Sequence, residues 1–138
     1  MTEFRRTGGC QCGAVRYSIH APATVTEHCH CSMCRKIHGT VMVTFSHVAK
    51  DKFVLEKGKE NLSVFDSSPP VHRHFCKTCG CQLFALDDDH PEIVEVATGT
   101  FDGGAHPGHP ESSLRHIYFK SKVPWLEVKD ELPKLDTV

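Results

Sequence analysis

Eight cysteines in 138 residues fall into three tight groups: Cys10 and Cys12; Cys29, Cys31 and Cys34; Cys76, Cys79 and Cys81. None stands alone. A C-x-C pair on extended backbone directs both thiols to one side, because strand side chains alternate with period two. A C-x-x-C pair on a tight turn also brings two thiols together, and Gly80 after Cys79 suits that turn. Dense cysteine has two common origins, a disulfide framework or metal sites. The opening MTEFRRTGG carries no apolar stretch after its basic pair, unlike a secretory leader. The expectation is therefore a cytoplasmic, reducing setting, in which clustered cysteine points to zinc rather than to disulfides.

The simplest partition joins Cys10 and Cys12 to Cys76 and Cys79 as one closed four-sulfur site. Its ligands come from remote segments, so a metal there staples the start of the chain to its middle. Cys29, Cys31 and Cys34 remain, three sulfurs within six residues. Three protein ligands with one open position is the arrangement of catalytic zinc, and an open position can hold a thiol as its thiolate. Cys81 leaves two outcomes open: as a fourth ligand it closes this second site, and pointing into the core it leaves the site open. Two zinc ions per chain are expected.

The remaining composition is unexceptional and mainly excludes. Sixteen Lys and Arg against seventeen Asp and Glu leave a net charge of -1, without the clustered basic excess that a nucleic-acid backbone requires. The longest plainly apolar run is Leu83 to Leu86, far short of the roughly 20 residues of a membrane span. No glycine-rich phosphate loop or G-x-S-x-G elbow occurs, and the acidic residues show no paired-carboxylate pattern. The length fits a single domain over residues 1–138.

Short segments rich in apolar, β-branched or aromatic residues, separated by turn formers, predict an all-β fold of several small sheets. They run over 41–45, 53–55, 62–65, 82–86, 93–98 and 114–119, and 13–20 alternates so that Val15, Tyr17 and Ile19 share one face. One helix is predicted over Ser32 to His38, with Ser32 as its cap and Gly39 as its stop. Phe101 to Ser113 reads as an exposed loop, Glu127 to Val138 as a surface tail, and Trp125 as a residue packed on the core.

The segments GGCQCGAVRY, CHCSMCRKIHG and FCKTCGCQLF resemble the glutathione-dependent formaldehyde-activating enzyme family, which includes centromere protein V-like domains. VATGTFD and HIYFKSKVPWL resemble its later motifs, so the likeness runs from about Arg6 to Leu132. It implies an Mss4-like, tent-shaped all-β fold. It also implies a structural zinc on Cys10, Cys12, Cys76 and Cys79 and a second, catalytic zinc on Cys29, Cys31 and Cys34. Cys81 departs from the family pattern. The implied activity is condensation of glutathione with formaldehyde to S-hydroxymethylglutathione, a carbon–sulfur lyase class of reaction, with a small thiol and an aldehyde as partners. The alternatives are a zinc-stapled binding or scaffold module, which a closing Cys81 would favour, and a redox sensor.

Other candidates flank the cysteines. Arg35, Lys36 and His38 follow the second cluster, where positive charge stabilises thiolates and receives the carboxylates of a peptide-like thiol; a solvated basic turn explains them equally simply. Thr100 lines a cleft or ends a strand. His28 and His30 serve as a proton shuttle or are turned away from the sulfurs by alternation, and alternation favours the second. His72 and His74 read as ordinary strand positions, and His106 and His109 as loop residues.

Overall fold

A computed structural model describes residues 3–138. Ten strands and one α-helix form it: β1 Arg6–Gly9, β2 Arg16–Ile19, β3 Val25–Cys29, α1 Ser32–His38, β4 Val43–Ala49, β5 Phe53–Lys57, β6 Leu62–Ser68, β7 Val71–Cys76, β8 Gln82–Asp87, β9 Ile93–Ala97 and β10 Arg115–Ile117. The all-β expectation holds. The strands make a three-stranded sheet, β1-β2-β5, and a seven-stranded sheet, β10-β3-β4-β9-β8-β7-β6. Every pairing is antiparallel except that of β10 with β3.

The main core collects Val15, Tyr17 and Ile19 of the first sheet's segment with Val48, Leu83, Val94 and Val96 of the second. The alternating face read from the sequence is thus a core face. Tyr17 stacks on Phe53 at 5.2 Å and meets Phe101 edge-on. A second cluster lies around Cys29, Cys34, Val43, Phe45, Ala97 and Ile117. Phe45 and Val48 have opposite parity on β4, so the central sheet buries one face in the main core and turns the other to this second cluster.

Two expectations need correction. Trp125 is 74% exposed rather than packed on the core. The segment from Phe101 to Ser113 is only partly exposed: Phe101 and Pro107 are buried, and the Ala23 amide donates to the Pro107 carbonyl. The tail lies over the surface, as expected, and is tied down there. The amides of His116 and Tyr118 donate to the carbonyls of Pro133 and Thr137, and the Leu135 amide donates back to His116, so the tail covers the β10 edge.

Helix α1 has its expected bounds but a different cap. Cys31, not Ser32, is the N-cap, its sulfur accepting the Cys34 amide at 3.3 Å. Gly39 stops the helix in the left-handed conformation, at φ 63°, where the lack of a β-carbon avoids a steric penalty.

Candidate functional site

The sulfurs of Cys10, Cys12, Cys76 and Cys79 lie within 4.8 Å of one another. Cys10 and Cys12 come from the turn between β1 and β2, Cys76 from the end of β7 and Cys79 from the turn after it, so this group rivets the two sheets together. Its neighbouring sulfurs are 3.6 Å apart for Cys10–Cys12 and 3.7 Å for Cys12–Cys76. Those spacings are far beyond a disulfide bond of about 2.05 Å. They match the edge of roughly 3.8 Å that a tetrahedron of zinc–sulfur bonds of about 2.3 Å requires. Donors already face the sulfurs: the Val15 amide at Cys10 and the Asn61 side-chain amide at Cys76. Burial opposes ionisation of Cys76, but the backbone amides of Cys79 and Thr78 outweigh it and bring this thiol down to about 6.

Cys29, Cys31 and Cys34 form the second group, again within 4.8 Å, with Cys29 and Cys34 3.5 Å apart. Cys29 ends β3, while Cys31 and Cys34 sit at the cap and first turn of α1. Hydrogen bonds from Cys29 and Cys34, joined by the Cys34 amide and the charge of Arg73, hold the Cys31 thiol well below its usual value. The same sharing with Cys31 and Cys34, reinforced by burial, pushes Cys29 up. The Arg73 guanidinium itself reaches the Cys34 sulfur at 3.5 Å. Both groups are suited to a soft-ligand metal such as zinc.

Cys81, the candidate fourth ligand of the second group, is not gathered there. It packs against the main core, where burial, with the charges of Cys79, Cys10 and Cys76 nearby, raises its thiol. Among the described residues no fourth protein ligand joins Cys29, Cys31 and Cys34. These three line a cavity of about 470 Å³, with Phe45, Ile117 and Tyr118 as its apolar wall.

A polar wall adjoins them on the same sheet face, two residues along β3, β4 and β10 from Cys29, Phe45 and Ile117, and was not foreseen. Glu27, His47, Glu95 and Arg115 meet there, brought by β3, β4, β9 and β10. Register explains the meeting, since Arg115 lies beside Glu27 and His47 beside Glu95. Glu27 is 2% exposed. Its Oε1 accepts from His47 Nε2 at 2.8 Å, and its Oε2 accepts two bonds from Arg115, at 2.8 and 2.5 Å. Burial raises the Glu27 carboxyl, but His47 first and Arg115 second outweigh it and hold it below the usual range. Burial likewise lowers His47, and the bond to Glu27 more than reverses this. Sixty-eight residues separate the two glutamates, so no local spacing announces them. The only trace is a polar residue in the inward phase of a strand.

Two predictions follow from this wall. Replacing Arg115 by Met leaves a buried carboxylate with His47 alone, and is expected to lower stability by roughly 3 kcal/mol in urea unfolding. The second concerns pH. A histidine whose folded pKa is raised contributes stability that is complete below its unfolded value, about 6.5, and vanishes as pH rises through the folded value. The stability difference between the native chain and His47→Gln is therefore expected to be largest below pH 6.5 or so and to shrink towards the alkaline side.

The remaining candidates lie elsewhere. Arg35 donates to the Ser121 carbonyl, Lys36 is exposed, and His38 packs edge-on against Phe45. Thr100 bonds the Tyr17 hydroxyl and the Ala97 carbonyl. None of the four lines the cavity. His28 bonds Thr44, and His30 bonds His116, which in turn bonds Asp130; neither contacts a sulfur. Burial foremost, then the charge of His116, lowers His30 to about 4, which keeps it neutral. His72 sits between Asp66 and Asp88, His74 stacks on Phe84, and His106 stacks on His109.

Comparison with known proteins agrees with this geometry. A Halomonas elongata protein is 29% identical over 128 residues, covering 88% of this chain and 80% of its own. A Penicillium rubens protein is 31% identical over 105 residues, covering 71% of this chain and 55% of its own. Both bear the provisional name glutathione-dependent formaldehyde-activating enzyme. A crystal structure of a Rhodobacter sphaeroides protein shares the fold at a TM-score of 0.55 and 24% identity, over 70% of this chain and 88% of that one. The family described as glutathione-dependent formaldehyde-activating enzyme matches residues 5–121, and this chain belongs to it.

Proposed function

We propose that the chain joins glutathione to formaldehyde as S-hydroxymethylglutathione, a carbon–sulfur lyase class of reaction, using zinc held by Cys29, Cys31 and Cys34. A second zinc, on Cys10, Cys12, Cys76 and Cys79, is structural. The observation that carries this reading is the three-sulfur group forming one wall of a ligand-sized cavity, with Cys81 directed elsewhere. That placement of Cys81 also removes the motive for a closed, non-catalytic scaffold. Reduced thiolates are needed throughout, which favours the cytoplasm as the working compartment.

When bound there, zinc supplies a Lewis-acid position that stabilises a guest thiol as its thiolate. Arg73, beside Cys34, adds positive charge where the thiolate forms. The apolar wall of Phe45, Ile117 and Tyr118 excludes water from the reacting pair. The thiolate sulfur attacks the aldehyde carbon; a carbon–sulfur bond forms and the carbonyl π electrons move to oxygen. The oxygen then needs a proton. His47 lines the cavity and is held towards its protonated form by Glu27, so it is the donor, and the proton released from the thiol restores it.

The test is glutathione binding to the zinc-loaded chain by calorimetry, with ¹³C NMR of formaldehyde to follow adduct formation. Saturable binding and adduct formation faster than the uncatalysed rate are expected. Absence of both, with two zinc ions present, rejects the reading.

A further inference from the structure

The apolar side of the cavity is larger than a one-carbon aldehyde needs. Phe45, Ile117 and Tyr118 pack around the sulfurs of Cys29, Cys31 and Cys34. Tyr118 is set there against its backbone preference. Among the described residues it is the only one other than glycine with a positive φ, at 51°, a conformation that bulky side chains disfavour. Its amide donates to the Thr137 carbonyl and its carbonyl accepts the Ser121 amide, which hold the turn in place. Burial, then the charges of Cys29, Cys31 and Cys34, raise its phenol, so the ring meets the sulfurs uncharged. From the sulfurs the apolar lining continues outward to Met33 and Val138, which are 43% and 68% exposed. Keeping water from a reacting pair accounts for the inner residues and not for these at the rim. Formaldehyde has no apolar group to cover them. Glutathione offers little: past its thiol carbon it is amides, carboxylates and an ammonium, which suit the polar wall. The adduct has two carbons on its sulfur, and only the aldehyde carbon can carry a substituent onto the apolar side.

We propose that the preferred aldehyde is an aliphatic one with a chain of several carbons, which lies along Phe45, Ile117 and Tyr118 towards Met33. The inference rests on the thiol–aldehyde addition proposed above and sets this class ahead of formaldehyde as the partner. The step balances without oxidant or reductant. The S–H bond breaks, a carbon–sulfur bond forms, the carbonyl π pair moves to oxygen, and oxygen gains the proton that the thiol gives up. The product is a thiohemiacetal. Methionine at the rim, unbranched and flexible, adapts to chains of different length.

The experiment uses the zinc-loaded chain. Calorimetry measures its affinity for S-methyl-, S-butyl- and S-hexylglutathione, stable stand-ins for the adduct. Exchange NMR with ¹³C measures how far it accelerates addition of glutathione to formaldehyde, butanal and hexanal over the uncatalysed rates. Each buried methylene predicts about fourfold in affinity, so the hexyl compound is expected to bind at least about tenfold tighter than the methyl one. Acceleration is expected to be greatest for hexanal. In Tyr118→Asn the gain with chain length is expected to shrink, since asparagine tolerates the left-handed backbone and is polar. Zinc content and thermal unfolding establish that the variant is folded; Ile117→Thr, which keeps the β-branch of a strand residue, is read the same way. Equal affinities along the series, acceleration greatest for formaldehyde, or a gain untouched by both variants overturns the inference alone. Butanethiol displacing S-hexylglutathione better than glutathione does puts the apolar chain on the thiol and also overturns it. No binding, and no acceleration with any aldehyde, rejects the proposed function, and this inference with it.

Discussion

Stripping metal from Cys10, Cys12, Cys76 and Cys79 is expected to unfold the chain rather than merely loosen it. Structural zinc contributes about 10–16 kcal/mol, whereas a whole domain is stable by only about 5–15 kcal/mol. The four sulfurs join turns of two different sheets, and the main core is built from both sheets. Losing the group therefore exposes the packing between the sheets as well as the turns. Chelator titration followed by circular dichroism is expected to show cooperative loss of sheet signal as zinc departs, with all eight thiols becoming reactive together. Cys76→Ser is expected to do the same without chelator, since Cys76 is fully buried and its sulfur is held by Asn61. A chelated chain that keeps its sheet signal would contradict this.

Substitution at the second group is expected to separate activity from stability. Cys31 has two roles, as one of three sulfurs and as the N-cap of α1. Serine is among the best capping residues, so Cys31→Ser preserves the helix start and removes only the sulfur. Its folding stability is expected to stay within about 1 kcal/mol of the native chain. Removing groups that merely support a ligand costs about 10–100-fold in affinity or activity, so loss of a ligand itself is expected to cost at least about 100-fold in turnover. Cys31→Ala is expected to lose the same activity and a further 1 kcal/mol or so of stability, the cap being gone. Steady-state adduct formation and urea unfolding of the two variants, side by side, distinguish the roles. Native-like turnover in Cys31→Ser would remove this sulfur from the reaction.

What the sequence revealed follows from how local each signal is. The cysteine groups were legible because C-x-C and C-x-x-C spacings set thiol direction within a turn or strand, and the helix because Gly39 is a local stop. The face of Val15, Tyr17 and Ile19 was legible because its period is two. Strands β1 and β3 were not named: Arg6–Gly9 holds two glycines, and Val25–Cys29 is mostly polar, so neither presents the apolar pattern of a strand. The polar wall escaped for a deeper reason. Glu27, His47, Glu95 and Arg115 are ordinary surface types in one dimension, and only the lateral order of four strands makes them neighbours. Cys81 shows the limit from the other side: the sequence left open whether it closes the second site or points into the core, and core packing decided its direction. Trp125 was read as core from its size alone, a weak ground when nothing in its neighbourhood fixed which way it pointed.

The rivet between the sheets also governs how the chain is made in a cell. Cys10 emerges from the ribosome 69 residues before Cys79. At about 5–20 residues per second, the first two thiols wait roughly 3–14 seconds for their partners. During that interval they are open to oxidants and to mismatched metals. Quality of the finished protein is thus set partly by the metal and oxidant levels around a nascent chain, and expression in metal-poor or oxidising hosts should yield misassembled rather than simply empty molecules.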